Sequence, residues 1–332
     1  MEKTKVIITG VAGLIGSHMA EYLVKKGYDA YGIDNLSGGY LENIPKEVEF
    51  YRDNLEDKKA VARIFKKAKP DYVYHFAAYA AEGLSPFIRN FNYANNLLSS
   101  VNVINECIKN DVKNIIFTSS MAVYGEGKPP FKETDILHPI DPYGISKYAV
   151  ELDLEAAKEQ FGLDYAVVRP HNVVGIRQNI WDKYRNVMGI WIRRVMRGES
   201  ICIFGDGLQE RAFSDIKFCL EPFEKLMFDH GGEVFNLGCT KQYTLNAVAD
   251  IVVKVGKELG FSPTIEHLEQ RVGEAKFAYS NHDKAEQMLG FKDETNLEET
   301  IREMFKWAMT QPDREVKYMD YELDKGMYSY WK

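Results

Sequence analysis

Hydrophobic and polar positions along the first 170 residues alternate between two periods. Short apolar, β-branched runs at residues 6–9, 29–34, 48–53, 72–78, 114–120 and 165–169 predict strands. Between them lie stretches of helical period. Leu14, Ile15, Met19, Leu23 and Val24 run up to Gly27, a helix stop, and residues 57–67, 91–109 and 143–161 also predict helices. Strand and helix in strict alternation predict an α/β chain with a doubly wound parallel sheet. Ligands then sit beyond the carboxyl ends of the strands, where Gly10, Asp34, Ala77, Ala78, Ser119 and Ser120 all fall.

The second half loses that rhythm. Residues 171–212 are loop-rich, with a helix over 187–196 and a short strand over 201–204. A helix over 217–228 and a strand over 233–237 predict a return to the main sheet. Helices over 245–259 and 297–309, with a strand over 264–268, complete the pattern. No repeat or low-complexity linker intervenes. The expected organisation is therefore a dinucleotide-binding domain of residues 1–170, rejoined by 213–238. Residues 171–212 and 239–332 would form a smaller α/β substrate-binding lobe. The aromatic tail from Lys317 to Trp331 is expected to pack on that lobe or on a partner, because disordered tails are poor in aromatic residues.

The first strand ends in Gly10-x-x-Gly13-x-x-Gly16, followed at once by a helix. A strand, a glycine turn and a helix N-terminus place backbone N–H groups where a pyrophosphate can sit. An isolated glycine triplet also occurs in ordinary strand-to-helix turns, so the next strand matters. It ends in Asp34-Asn35, about 20 residues on, where a ribose 2′-hydroxyl needs an acceptor. No arginine follows directly, and a carboxylate would repel a 2′-phosphate. NAD is the expected cofactor, in preference to NADP.

Composition narrows the field further. The 332 residues are 45% hydrophobic and 27% charged, as in soluble globular proteins, and the net charge is −7. With no basic stripe, general nucleic-acid binding is excluded. The cluster Arg193, Arg194 and Arg197 reads equally as a solvated helix face or a phosphate contact. Cys107, Cys202, Cys219 and Cys239 form no CxxC pair, so neither a disulfide framework nor a zinc site is expected. The first strand begins too early for a signal peptide, and no apolar run is long enough for a membrane span. A cytoplasmic location follows as the expectation.

Tyr143-Gly-Ile-Ser-Lys147 opens the helix after the strand that carries Ser119 and Ser120. Residues four apart share a helix face, so phenol and ammonium point into one space. A neighbouring cation favours the phenolate and would make Tyr143 a general base for a sugar hydroxyl. At this point the chain resembles the extended short-chain dehydrogenases/reductases. Gly10-x-x-Gly13-x-x-Gly16, His75-Phe-Ala-Ala78, Ser119-Ser120 with Val123-Tyr-Gly125, Tyr143-x-x-x-Lys147 and Arg169-Pro170 occur in that family's order. More narrowly it is similar to the NAD-dependent sugar-nucleotide epimerases, of which the UDP-glucose 4-epimerase type is nearest, over about the whole chain.

The resemblance implies a Rossmann-type fold and a set of roles. Ser120 would bond the sugar O4 beside Tyr143, and Lys147 would also hold the nicotinamide ribose. Gly13, Leu14 and Ile15 would line the pyrophosphate turn, Asp53 and Asn54 would flank the adenine, and Asn96 would lie near the cofactor. Asn172 would touch the substrate's phosphates, Arg211 and Arg271 would clamp its diphosphate, and Glu274 would accept from the nucleotide ribose. Two guanidinium forks suit a diphosphate. A homodimer through helices 91–109 and 143–161 is the implied assembly.

Departures from the family's patterns narrow the reaction. Sugar-nucleotide dehydratases carry an Asp-Glu pair after the position of Ser120, and this chain has Met121-Ala122. The glutamate of the decarboxylases and the cysteine of the 3,5-epimerases are missing too. What remains is hydride chemistry at one carbon, which favours 4-epimerisation of a nucleotide sugar through a 4-ketose. Net oxidation or reduction at C4 uses the same residues, and a non-catalytic NAD-sensing protein is a third reading. The family's aspartate near Phe218 is missing, although Arg211 is present. Residues Gln178, Asn179, Tyr184, Arg185 and Asn186 either read the sugar or pack. His75 is expected to be structural, and His171 either structural or catalytic.

Overall fold

The computed structural model describes residues 3–228, 231–271 and 276–331. Seven strands make the main sheet: β1 (Lys5–Thr9), β2 (Asp29–Ile33), β3 (Glu49–Tyr51), β4 (Tyr72–His75), β5 (Asn114–Thr118), β6 (Tyr165–Pro170) and β7 (Glu233–Leu237). Their order is β3-β2-β1-β4-β5-β6-β7, and every pairing is parallel. The order reverses between β1 and β4, which opens a crevice at the carboxyl ends of those two strands.

Both faces of the sheet are buried, so its strands are apolar at successive positions. Val6, Ile8, Tyr74, Ile116, Val168 and Phe235 enter one core, with Met19 and Leu23 of helix α1 (Leu14–Lys25). Ile7, Val73, Ile115, Phe117 and Val167 enter the other. There they meet α2 (Lys58–Ala68), α3 (Ser99–Lys109) and α4 (Pro142–Phe161). Helix starts follow local chemistry: Asp57 accepts from Lys59 and Ala60 amides, and Asp141 accepts from Gly144 ahead of Pro142 at the first helical position. A third core joins α5 (Val187–Met196), α6 (Leu245–Glu258) and α7 (Leu297–Met309) around Trp191, Val248 and Phe305.

Two expected helices are interrupted. Residues 91–109 divide into a short helix Arg89–Tyr93, a π turn Ala94–Leu98, and α3. The wide turn is held by Ser99 Oγ, which donates to the Ala94 carbonyl at 3.2 Å, and by the Asn96 side chain, which binds across to the Tyr79 backbone. Residues 217–228 shorten to a 3₁₀ turn, Ile216–Phe218, and a six-residue helix, Leu220–Lys225. Asp215 accepts from the Lys217 amide and from Thr300 Oγ1, and so organises the loop where the family's aspartate is missing. Short strands that periodicity did not reveal, among them Glu210–Ala212, Gln242–Thr244 and Phe277–Ala278, form a small sheet of their own.

The tail runs back over the molecule. Lys317 N donates to the Trp181 carbonyl, and the Glu322 carboxylate accepts from the Asn90 and Phe91 amides at 2.8 and 2.9 Å. Met327 and Trp331 are buried with Tyr79, Phe87 and Tyr184. The basic cluster is met by two carboxylates. Arg193 and Arg194 face Glu199, and Arg197 pairs with Asp313 at 2.5 Å. Among the described residues no helix is long and apolar enough to cross a membrane.

Gly16 has no room for a side chain, since a Cβ there would run into the Gly10 carbonyl. The variant Gly16→Ala is expected to lower unfolding free energy by at least about 2 kcal/mol. Urea unfolding followed by circular dichroism checks this, and an unchanged midpoint would contradict the packing.

Candidate active site

The crevice above β1 and β4 opens into a cavity of about 910 Å³ that runs from the glycine turn to the second half of the chain. Gly10, Gly13, Leu14, Ile15 and Gly16 wall one end, Ser119, Ser120, Tyr143 and Lys147 the middle, and Arg211 and Arg271 the far end. A smaller cavity of about 110 Å³ continues past the turn to Asp34, Asn35, Asp53, Asn54, Ala77 and Ala78.

The turn is shaped by backbone sterics. Gly10 has φ +69°, a left-handed value that glycine adopts without strain, and a Cβ on it would lie 2.8 Å from Ala77 N and Cα. Helix α1 begins at Gly13 with no side-chain cap, leaving first-turn amides for an anion. Asp34 ends β2 with Oδ2 accepting from Ala12 N at 3.0 Å and Oδ1 from Leu36 N at 2.7 Å. Burial raises its carboxyl above the usual range, although both amides oppose this. Asp53 is paired with Arg63 at 2.8 Å, and Asn54 Oδ1 accepts from Glu56 N.

The Tyr143–Lys147 pair stands on the start of α4. Tyr143 and Lys147 are both buried, at 5% and 2% exposure, and Ser120 lines the same cavity beside the Tyr143 phenol, whose ionised form it favours. Lys147 Nζ donates to the Thr118 carbonyl at 2.8 Å and lies 6.0 Å from the Tyr143 ring centroid. Burial first, and the Glu82 carboxylate next, hold the phenol above its ordinary pKa, while Ser120 acts in the opposite sense. Lys147, one turn further along α4, is shifted as well. Its own ammonium is pushed down to about 7 by burial.

Behind these groups lies a buried polar network. Arg169 forks onto Glu151, with Nε to Oε1 at 3.0 Å and Nη2 to Oε2 at 2.6 Å. Ser119 Oγ also donates to Glu151, and Arg169 Nη1 donates to the Tyr124 hydroxyl at 3.0 Å. Ser119 is thus committed to the network, although it borders the cavity. Asn96 lines neither cavity; its amide holds the Tyr79 backbone, which keeps Ala77 and Ala78 in place. His75 is buried between Thr9 Oγ1 and Ser100 Oγ, and His171 between Ser280 Oγ and the Cys239 carbonyl. Burial lowers both imidazoles, to about 3 and about 4, and both hold their neighbours in place.

At the far end, Asn172 stands at φ +39° with Nδ2 on the Ala212 carbonyl. Arg211 Nη1 donates to the Glu210 carbonyl at 2.9 Å, and the Arg271 guanidinium stacks 3.6 Å from the Phe204 ring centroid. Glu274 lies outside the described residues. Sequence reasoning missed the tail, whose Lys325, Gly326, Tyr328 and Tyr330 also line the large cavity. Its aromatic content was the only local signal. Among the described residues no cluster of His, Cys, Asp and Glu could hold a metal ion.

A glycine turn opening on a helix N-terminus, an acceptor at the end of β2 and a buried Ser-Tyr-Lys set define a dinucleotide-dependent site. Comparison with known proteins gives it a family. The model of the NAD dependent epimerase/dehydratase family matches residues 6–238, and the chain belongs to that family. It is an NAD-dependent enzyme of that group. A putative UDP-glucose 4-epimerase of Methanocaldococcus jannaschii is 32% identical over 305 residues, 91% of this chain and 97% of the relative. The UDP-glucose 4-epimerase of Thermotoga maritima, solved with UDP-glucose, is 33% identical with a TM-score of 0.85, covering 92% of this chain and 98% of that one. A UDP-N-acetylglucosamine 4-epimerase of Methanobrevibacter ruminantium, solved with UDP-N-acetylmuramic acid, is 32% identical with a TM-score of 0.85, over 94% and 100%.

The depressed Lys147 has a consequence for stability. Its folded-state pKa of about 7 lies below the ordinary 10.5, so unfolding takes up a proton between those values. The penalty is full below pH 7 and fades as pH rises through that window, by up to about 1.4 kcal/mol per pH unit. Ligand-free protein is expected to show this rise in urea titrations from pH 7 to 9. Lys147→Met should flatten it, and equal slopes in both proteins would refute the burial argument.

Proposed function

We propose that this enzyme interconverts nucleoside-diphosphate sugars, with UDP-hexoses as the leading class, that differ in configuration at C4. The observation that carries the reading is that Ser120, Tyr143 and buried Lys147 line one cavity with Arg211 and Arg271. Residues 1–170 with 213–238 act as the NAD lobe, and 171–212 with 239–332 as the substrate lobe.

The glycine turn, with Gly10, Gly13, Leu14, Ile15 and Gly16, faces the cofactor's pyrophosphate. Asp34 and Asn35 take the adenosine ribose, and Asp53 and Asn54 flank the adenine. Ala77, Ala78 and Ser119 form the floor. Lys147 reaches the nicotinamide ribose. NAD, when bound, supplies a hydride acceptor at C4 and, while oxidised, a positive charge that favours the Tyr143 phenolate. Tyr143 Oη takes the proton of the C4 hydroxyl, with Ser120 Oγ holding the same oxygen. The resulting 4-ketose turns in the cavity, and Tyr143 returns the proton as C4 is reduced on its other face. Asn172, Arg211 and Arg271 keep the diphosphate fixed while the sugar turns, and Glu274 bonds the nucleotide ribose. Met121 and Ala122 offer no second acid or base, which supports chemistry at one carbon. Large apolar side chains exposed on the π turn and α4, namely Leu98, Ile145, Leu152 and Phe161, support a homodimer through these helices.

Tyr143→Phe is expected to lower kcat by 10³-fold or more, an order set by loss of a general base, while sugar-nucleotide binding survives. The wild type is incubated with UDP-, GDP-, dTDP- and CDP-sugars, with products followed by NMR and absorbance near 340 nm. A C4-inverted sugar without lasting absorbance supports the epimerase. Accumulating reduced cofactor with a keto sugar would replace it by net C4 oxidation. Near-normal turnover of the Phe variant would remove Tyr143 from the mechanism.

A further inference from the structure

We propose that Arg185, carried by the substrate lobe, reaches across the crevice and binds the pyrophosphate of the dinucleotide. The inference rests on the NAD reading above and assigns a cofactor contact from the opposite side of the site to the glycine turn.

Arg185 precedes α5, and its side chain is only 10% exposed. Nε donates to Asp182 Oδ2 at 2.8 Å, and the guanidinium lies over Tyr79, 4.4 Å from the ring centroid. Asp182 is itself fixed, since its Oδ1 accepts from Tyr184 N at 2.9 Å. The arginine is therefore aimed by its partner and its stack. Among the described residues neither Nη group has a hydrogen-bond acceptor. Both Nη groups are left to the crevice that Arg185 lines, and two parallel N–H groups suit phosphate oxygens.

The direction of that aim is set by the loop after Asp34. A Cβ on Gly38 would meet Arg185 Nη2, and a Cβ on Gly39 would meet Ala12 in the glycine turn. Tyr40 N donates to the Ala12 carbonyl at 3.2 Å, which holds the loop on the turn. Arg185 thus stands beside the turn and borders both cavities. Of the described residues lining the smaller cavity it is the one cation. Its charge is also felt at Asp34, the adenosine end, and at Tyr143, the nicotinamide end. A group beside Gly10 and Gly13, where the uncapped amides of α1 open on the cavity, faces the middle of a dinucleotide, where the diphosphate lies. Arg211 and Arg271 line the large cavity and do not border the smaller one, so the two diphosphates have separate arginines.

The test measures binding, independent of turnover. Purified wild type, Arg185→Ala and Arg185→Lys are titrated with NAD, ADP-ribose, adenosine and UDP by calorimetry, after circular dichroism has shown that each folds. The alanine variant should bind NAD and ADP-ribose about 10- to 100-fold more weakly, with adenosine and UDP unchanged. Lysine should recover only part of the loss, because it lacks the fork. Equal NAD affinity in wild type and Arg185→Ala would overturn the proposal. So would a loss confined to UDP or an acidic sugar nucleotide, which would move Arg185 to the substrate. Failure of the wild type to bind NAD would instead remove the NAD reading, and this inference with it. Misfolding of the alanine variant leaves Arg185→Lys as the deciding protein: weaker ADP-ribose binding with unchanged adenosine binding supports the contact, and unchanged ADP-ribose binding overturns it.

Discussion

The constraint on which the site depends is the approach of α1 to the end of β1. Gly16 packs on the Gly10 carbonyl with no space for a Cβ, and Gly10 packs on Ala77 at the end of β4, again too closely for a Cβ. Three elements therefore meet through backbone alone. That contact fixes the width of the crevice where the strand order reverses and turns the α1 amides toward it. Every other part of the site is placed relative to this seam: Asp34 bonds Ala12 within it, and the loop carrying Gly38 and Gly39 closes over it.

A second fixed point stands on the opposite wall. Glu151 holds Arg169 and Ser119 together, and Arg169 in turn holds Tyr124, whose hydroxyl donates to Asn236 Oδ1 at 2.7 Å. One polar network thus joins α4, the end of β5, β6 and β7. Buried ion pairs add little net stability, but a half-broken one is severely costly. The network behaves as a rigid mount from which Tyr143 and Lys147 project. The soft chemistry of the site, a phenol raised by burial and an ammonium lowered by it, is built on hard scaffolding.

The alternation of strands and helices was readable because parallel strands buried on both faces must be apolar throughout, as Ile7 and Ile8 on opposite faces of β1 are. Glycine spacing and the Tyr143–Lys147 pair were readable because their chemistry is local. The π turn at Asn96 was not, since it depends on a bond to Tyr79, far away in sequence. Two-residue and three-residue strands such as Phe277–Ala278 carry too few positions for a period. For Arg185 the sequence offered sugar contact or packing, and its setting came only from Asp182, Tyr79 and Gly38 converging on it. The tail's aromatic residues announced packing, but nothing in their order announced that Tyr328 and Tyr330 would border the cavity.

The last strand of the main sheet has a consequence for how the chain assembles. β7 pairs with β6, yet residues 171–232 lie between them, including α5 and the strands that face the far end of the cavity. Closing so long a loop costs entropy before the pairing returns anything. The core under β7 also needs Leu289 and Phe291, from further on still. The sheet therefore cannot finish until much of the second half has found its place. Such interleaved connectivity gives a high contact order and favours slow, concerted folding of both halves as one unit.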